Sequence, residues 1–135
     1  MDDRWAEYLT GTMREIADAI GMDGAFRLWS GFRNQGIWIA QDWRKNKNLL
    51  DLLGEEKTIK FSEVFGSENI YVPGSEIQDF VWAEAVIAFD RDGVSTVQIA
   101  KKMAITRAKV YLLRKKFAAC KDWPVKNELQ HIKRE

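Results

Sequence analysis

Trp5, Leu9, Met13, Ile16 and Ile20 recur at spacings of three and four, which predicts one apolar face of an amphipathic helix that Gly21 ends. Ala25, Leu28, Trp29 and Phe32 resume the period and predict a second helix. After Gly36 the pattern changes to Ile37-Trp38-Ile39, a short β-prone run. The order is therefore helix, helix, strand.

The next segment repeats that order at an offset of 33 residues without gaps. Asp18 falls on Asp51, Gly21 on Gly54, Phe32 on Phe65 and Ile37 on Ile70; Trp38 and Ile39 fall on Tyr71 and Val72. Two copies are too few for a solenoid, because each unit needs neighbours to cover its apolar face. Pairing of two units, or of two chains, is the expected remedy. Both strands are short and unstable alone, so each is expected to find a partner, with a dimer axis as one place to find it. The polar, basic connection between the copies, residues 41–48, reads as a surface loop carrying Trp43.

Pro73-Gly74 closes the second strand and Ser75 is placed to cap a helix that is apolar on most sides from Ile77 to Phe89, which calls for burial. Asp90-Arg91-Asp92-Gly93 ends it. From Thr96 to Lys115 the spacing reads as a helix-turn-helix. Ser95 followed by Gln98 signals a capping box, Ile99 and Met103 form an inner stripe, and Ala100 is small where the two helices cross. Ala104 and Ile105 make the turn, Thr106 caps the second helix, and Val110, Leu113 and Phe117 pack inward. Ala104 stands where such turns often have Gly, since the position takes positive φ.

Charge sharpens this picture. The net charge of +1 hides a polarity: residues 1–93 carry 10 Lys/Arg against 17 Asp/Glu, and residues 94–135 carry 11 against 3. No acid occurs between Val94 and Phe117, where seven basic residues fall, as expected of a face that meets nucleic acid. With Val110 inward and 100° per residue, Ala108, Tyr111, Leu112 and Lys115 point outward, flanked by Arg107 and Lys109. Arg107, Ala108 and Tyr111 are the candidates for reading base edges in a major groove, Arg107 by a bidentate contact to guanine and Ala108 by meeting a thymine methyl. Lys101, Lys102, Lys109, Arg114, Lys115 and Lys116 suit phosphates, and Ser95, Thr96 and Thr106 suit donation from near helix N-termini.

Other chemistry is thin. One cysteine (Cys120) and one histidine (His131) make neither a disulfide framework nor a tetrahedral metal site within one chain, so no metal and no cofactor is expected. Glu55-Glu56 and Asp90/Asp92 read as solvated helix ends rather than acid and base, and no nucleophile motif or phosphate-binding glycine loop is present, so an enzyme is not expected. The six tryptophans suit core and interface, with Trp43, among basic residues, the one worth testing for base stacking. No apolar run is long enough to span a bilayer and the N-terminus is acidic, so a cytoplasmic protein is expected.

The run Phe65-Gly66-Ser67-Glu68-Asn69-Ile70-Tyr71-Val72-Pro73, the apolar helix from Ile77 to Phe89, Gly93-Val94-Ser95, and Thr106 through Val110-Tyr111 resemble the Mor (middle operon regulator) family of phage transcription activators. The resemblance covers residues 49–117 well and the upstream copy, 16–40, less specifically. It implies an N-terminal dimerisation domain of helices and short intersubunit strands joined to a C-terminal helix-turn-helix. It further implies that a homodimer binds an imperfect inverted repeat in double-stranded DNA and recruits host RNA polymerase. A strand residue such as Asn69 would then approach the minor groove. The glycines before the strand are reduced here to Gly36 and Gly66.

Together these readings predict a mainly α, α+β chain: a dimerisation domain over 1–74, a DNA-binding domain over 75–120 and a basic tail over 121–135. The expected function is a sequence-specific transcription regulator, an activator of a phage or prophage operon in a bacterial host. A repressor of the same fold and a helix-turn-helix used as a protein-binding adaptor are the alternatives.

Overall fold

The computed structural model describes residues 3–118, which divide between two compact units with the boundary after Ile77. The expected tail, 121–135, lies outside the described residues, as do Cys120, Trp123 and His131. The described chain is mainly helical, with one two-stranded antiparallel sheet. No helix among the described residues is long and apolar enough to cross a membrane.

The first unit opens with a 3-10 turn, Asp3–Tyr8, so Trp5 does not share the first helix with Met13 as its spacing suggested. Helix α1 (Gly11–Phe32) breaks at Gly21, which takes φ 78° and ψ 169°. Strand β1 (Gln35–Ile39), a second 3-10 turn (Trp43–Lys45), α2 (Lys47–Leu53), α3 (Glu55–Phe65) and β2 (Glu68–Val72) follow. Gly54, between α2 and α3, takes φ 84° and ψ 168°. That backbone region is open in practice to glycine alone, so the two glycines of the repeat mark the same bend in both copies.

The equivalence extends beyond the bends. Residues ending the second helix of each copy donate alike, Arg33 to the Trp29 carbonyl at 3.0 Å and Gly66 to the Ser62 carbonyl at 2.8 Å. Asn34 and Ser67, 33 positions apart, both take positive φ, at 62° and 67°. Their amides cross to the other copy's strand, Asn34 to Val72 at 2.7 Å and Ser67 to Ile39 at 2.8 Å.

The two strands pair with each other, with Ile37 opposite Ile70, its own repeat equivalent. Two equivalent residues can face each other in an antiparallel ladder only about a local two-fold axis, so the copies are arranged as a dimer would be, inside one chain. Of the two expected remedies, this chain shows the pairing of the two copies; among the described residues each strand meets the other along one edge and leaves its second edge open. Alternation puts Ile39, Ile70 and Val72 into the core, where α1 and both strands meet, and leaves Trp38 at 59% and Tyr71 at 56% exposure on the outer face.

Residues 41–48 are less of a free loop than their polarity suggested. The Asn46 side chain is buried, accepting from the Ala40 amide at 2.9 Å and donating to the Ala40 carbonyl at 3.0 Å and to Ser62 Oγ at 2.8 Å. Trp43 is half-buried beside Arg44.

The second unit follows three residues later than the expected boundary. Helix α4 (Ser75–Arg91) begins within the first unit, where Glu76 accepts from both the amide and the hydroxyl of Thr10 and Ile77 is fully buried. Only one side of α4 is sealed: Phe80, Ala83, Val86 and Ile87 are buried, Val81, Trp82, Ala85 and Phe89 are half-buried, and Ala88 is exposed. Helices α5 (Thr96–Met103) and α6 (Arg107–Lys116) complete the unit around Ile99, Val110, Leu113 and Phe117. Phe80 and Phe117 meet edge to face at 5.7 Å.

Candidate nucleic-acid interface

Local chemistry starts both helices where the spacing placed them. Ser95 Oγ accepts from the Gln98 amide at 3.3 Å and Thr106 Oγ1 from the Lys109 amide at 3.0 Å, each satisfying a donor that the first helical turn leaves free. Between the helices Ala104 takes φ 56° and ψ 42°, the left-handed conformation. An L-residue with a Cβ is strained there, so Ala104→Gly should raise the stability of this unit by up to about 1 kcal/mol, read as a higher thermal midpoint.

On α6, Val110 and Leu113 are buried, while Arg107, Ala108, Leu112 and Lys115 are exposed and Tyr111 is half-exposed. The three expected base-reading side chains thus share the outer side of the helix. Lys101 and Lys102 on α5, with Arg107 and Lys115, make no ion pair with any described residue and are exposed. Ser95 and Thr106 are exposed, with their oxygens already accepting as caps and their hydroxyl protons uncommitted there. Asn69 is exposed on β2 of the first unit, opposite Trp38.

Four of the expected phosphate contacts are arranged otherwise. Arg114 is buried at 1% exposure and does not face solvent. Its Nε and Nη2 donate to the two carboxylate oxygens of Asp90 at 3.0 and 2.6 Å, and its Nη1 donates to Thr96 Oγ1 at 2.9 Å. Thr96 is buried with it, so neither side chain is available to a phosphate. The cause is helical phase: four residues after Val110 is only 40° around the helix, on the inward stripe. That phase, with an acid ending the apolar helix before it, was the signal that could have found the pair. A lone guanidinium on such a stripe needs a buried anion, and Asp90 supplies it.

Lys109 and Lys116 also turn back into the protein. Lys109 Nζ donates to Asp79 Oδ1 and Lys116 Nζ to Asp79 Oδ2, both at 3.0 Å. Lys109 further lies over the Trp82 ring at 5.2 Å. Partial burial pushes the Asp79 carboxyl up, but the hydrogen bonds and charges of the two ammoniums together outweigh it and hold it below the ordinary value for Asp. Asp79 was not singled out by sequence reasoning, because it lies on a helix whose apolar residues dominate the pattern.

Among the described residues no three metal-ligating side chains come together. What this unit offers is an exposed helix face bearing Arg107, Ala108 and Tyr111, framed by free ammoniums, on a scaffold whose acids Asp79 and Asp90 are both engaged by cations. Against protein-family models, curated proteins and solved structures, the chain finds no match.

Proposed function

We propose that the protein is a sequence-specific regulator of transcription that binds double-stranded DNA through a helix-turn-helix formed by α5 and α6. The observation that carries the reading is the outer side of α6: an exposed Arg and Ala and a half-exposed Tyr in its N-terminal half, beside Lys101, Lys102 and Lys115, which have no anionic partner among the described residues. An exposed guanidinium at the start of a helix suits the edge of a guanine, and flexible ammoniums suit phosphates.

The activator reading, a phage or prophage operon as target and the RNA polymerase of a bacterial host as partner all rest on the resemblance to the Mor family; the cytoplasm as the place of action rests on the sequence alone. A homodimer on an inverted repeat belongs to the same resemblance. β1 and β2 already pair inside one chain, and each leaves one edge open to a further strand.

The test is a titration of the full chain against a labelled duplex over a range of salt. Binding should weaken by about 0.9 log units per log unit of salt for each phosphate neutralised. A complex insensitive to salt would favour the protein-binding adaptor instead. Footprinting on the promoters of the source phage, followed by transcription in vitro with the host polymerase, separates activator from repressor.

A further inference from the structure

Asp79 stands near the start of α4, and Lys109 and Lys116 lie seven residues apart on α6, about two turns along one side of that helix. Both lysines converge on this one carboxylate. Each of its oxygens takes one ammonium at 3.0 Å, and the side chain keeps only 17% of its exposure. Each lysine also lies over a ring, Lys109 over Trp82 at 5.2 Å and Lys116 over Phe117 at 5.4 Å, but Lys109 is 27% exposed and Lys116 45%.

A carboxylate and a phosphodiester present the same chemistry to an ammonium, a pair of anionic oxygens. We propose that Asp79 occupies the place of a backbone phosphate, masking Lys109 and Lys116 so that they do not count toward nucleic-acid affinity. This rests on the DNA-binding reading and refines it. The affinity that all the basic residues of α5 and α6 suggest is lowered from within, and the phosphate contacts of the unmodified protein come from Lys101, Lys102 and Lys115. Masking acts on contacts that carry no sequence information, so it suppresses binding to arbitrary duplex while leaving the Arg107 face free to discriminate.

Asp79→Asn tests this, because the amide keeps the shape and one acceptor oxygen but surrenders the charge. The full chain and its variants are titrated against a fluorescently labelled duplex of scrambled sequence at several salt concentrations. Asp79→Asn should bind more tightly and steepen the log-log salt slope by about 0.9 for each lysine released, up to two. Asp92→Asn removes the same charge from an exposed site with no ion pair to a described lysine, and should leave the slope unchanged.

Lys116→Ala supplies a check that does not depend on how Asp79→Asn folds. In the unmodified background it should leave the slope unchanged, and beside Asp79→Asn it should lower the slope by about 0.9. A wild-type slope that already falls by about 0.9 on Lys116→Ala would overturn masking while leaving DNA binding intact. So would equal steepening by Asp79→Asn and Asp92→Asn, since that is the mark of net charge alone. A wild-type chain that shows no salt-dependent binding would remove both the masking and the function it refines.

Discussion

Asp90→Asn is expected to destabilise the second unit by about 3–5 kcal/mol, the range found when one partner of a buried ion pair is removed. The effect is large because Arg114 has no route to water: it is 1% exposed, and three of its donors are aimed at Asp90 and Thr96. With the carboxylate gone, a guanidinium is left in the core with one charged partner fewer than it needs. Arg114→Met should cost comparably, since it takes from the buried Asp90 carboxylate the guanidinium that donates to both of its oxygens. The double variant Asp90→Leu/Arg114→Met should be milder than either single change, because removing both charges also removes both desolvation costs. Amide hydrogen exchange in α4, α5 and α6 measures the opening free energy of this unit directly. Additive losses in the double variant would show that the two side chains act independently.

Arg107→Ala should cost roughly 1–3 kcal/mol on a cognate DNA site and relax the preference at one base pair. Arg107 is exposed at the first position of α6 and makes no ion pair with a described residue, so its removal should leave the fold unchanged. The loss should therefore fall on specific DNA far more than on a scrambled duplex. Lys115→Ala is the contrasting variant: a phosphate contact carries no sequence information, so its loss should weaken both duplexes about equally. Equal losses on both duplexes for Arg107→Ala, with unchanged circular dichroism, would take Arg107 out of base readout. Attention would then move to Asn69, exposed on β2.

Much of this arrangement was legible in the order of residues. Ser95 with Gln98 and Thr106 with Lys109 mark helix starts by chemistry confined to three neighbouring residues, and both caps form. Ile99, Val110, Leu113 and Phe117 follow the helical period and are buried. Gly21 and Gly54 announced bends because only glycine enters the backbone region they occupy. Such signals are local: propensity, capping and phase act within a few residues of chain. The candidate readout face is read the same way, because which side of α6 faces out follows from which side is apolar.

What the order of residues alone left open was who partners whom across long separations. The repeat showed that two strands needed pairing, yet pairing within one chain and between two chains satisfy the same backbone groups, and only the tertiary arrangement put Ile37 opposite Ile70. The same holds for charge. Seven basic residues without an acid between Val94 and Phe117 looked uniform along the chain. Three of them have anions 24, 30 and 37 residues away in the sequence, on α4, which bring Arg114, Lys109 and Lys116 back into the protein. Sequence thus determined the helices, the bends and the sign of the surface charge, since these depend on neighbours along the chain. Tertiary structure decided which cations remain free, because an ion pair depends on distance in space and on burial, which folding sets together.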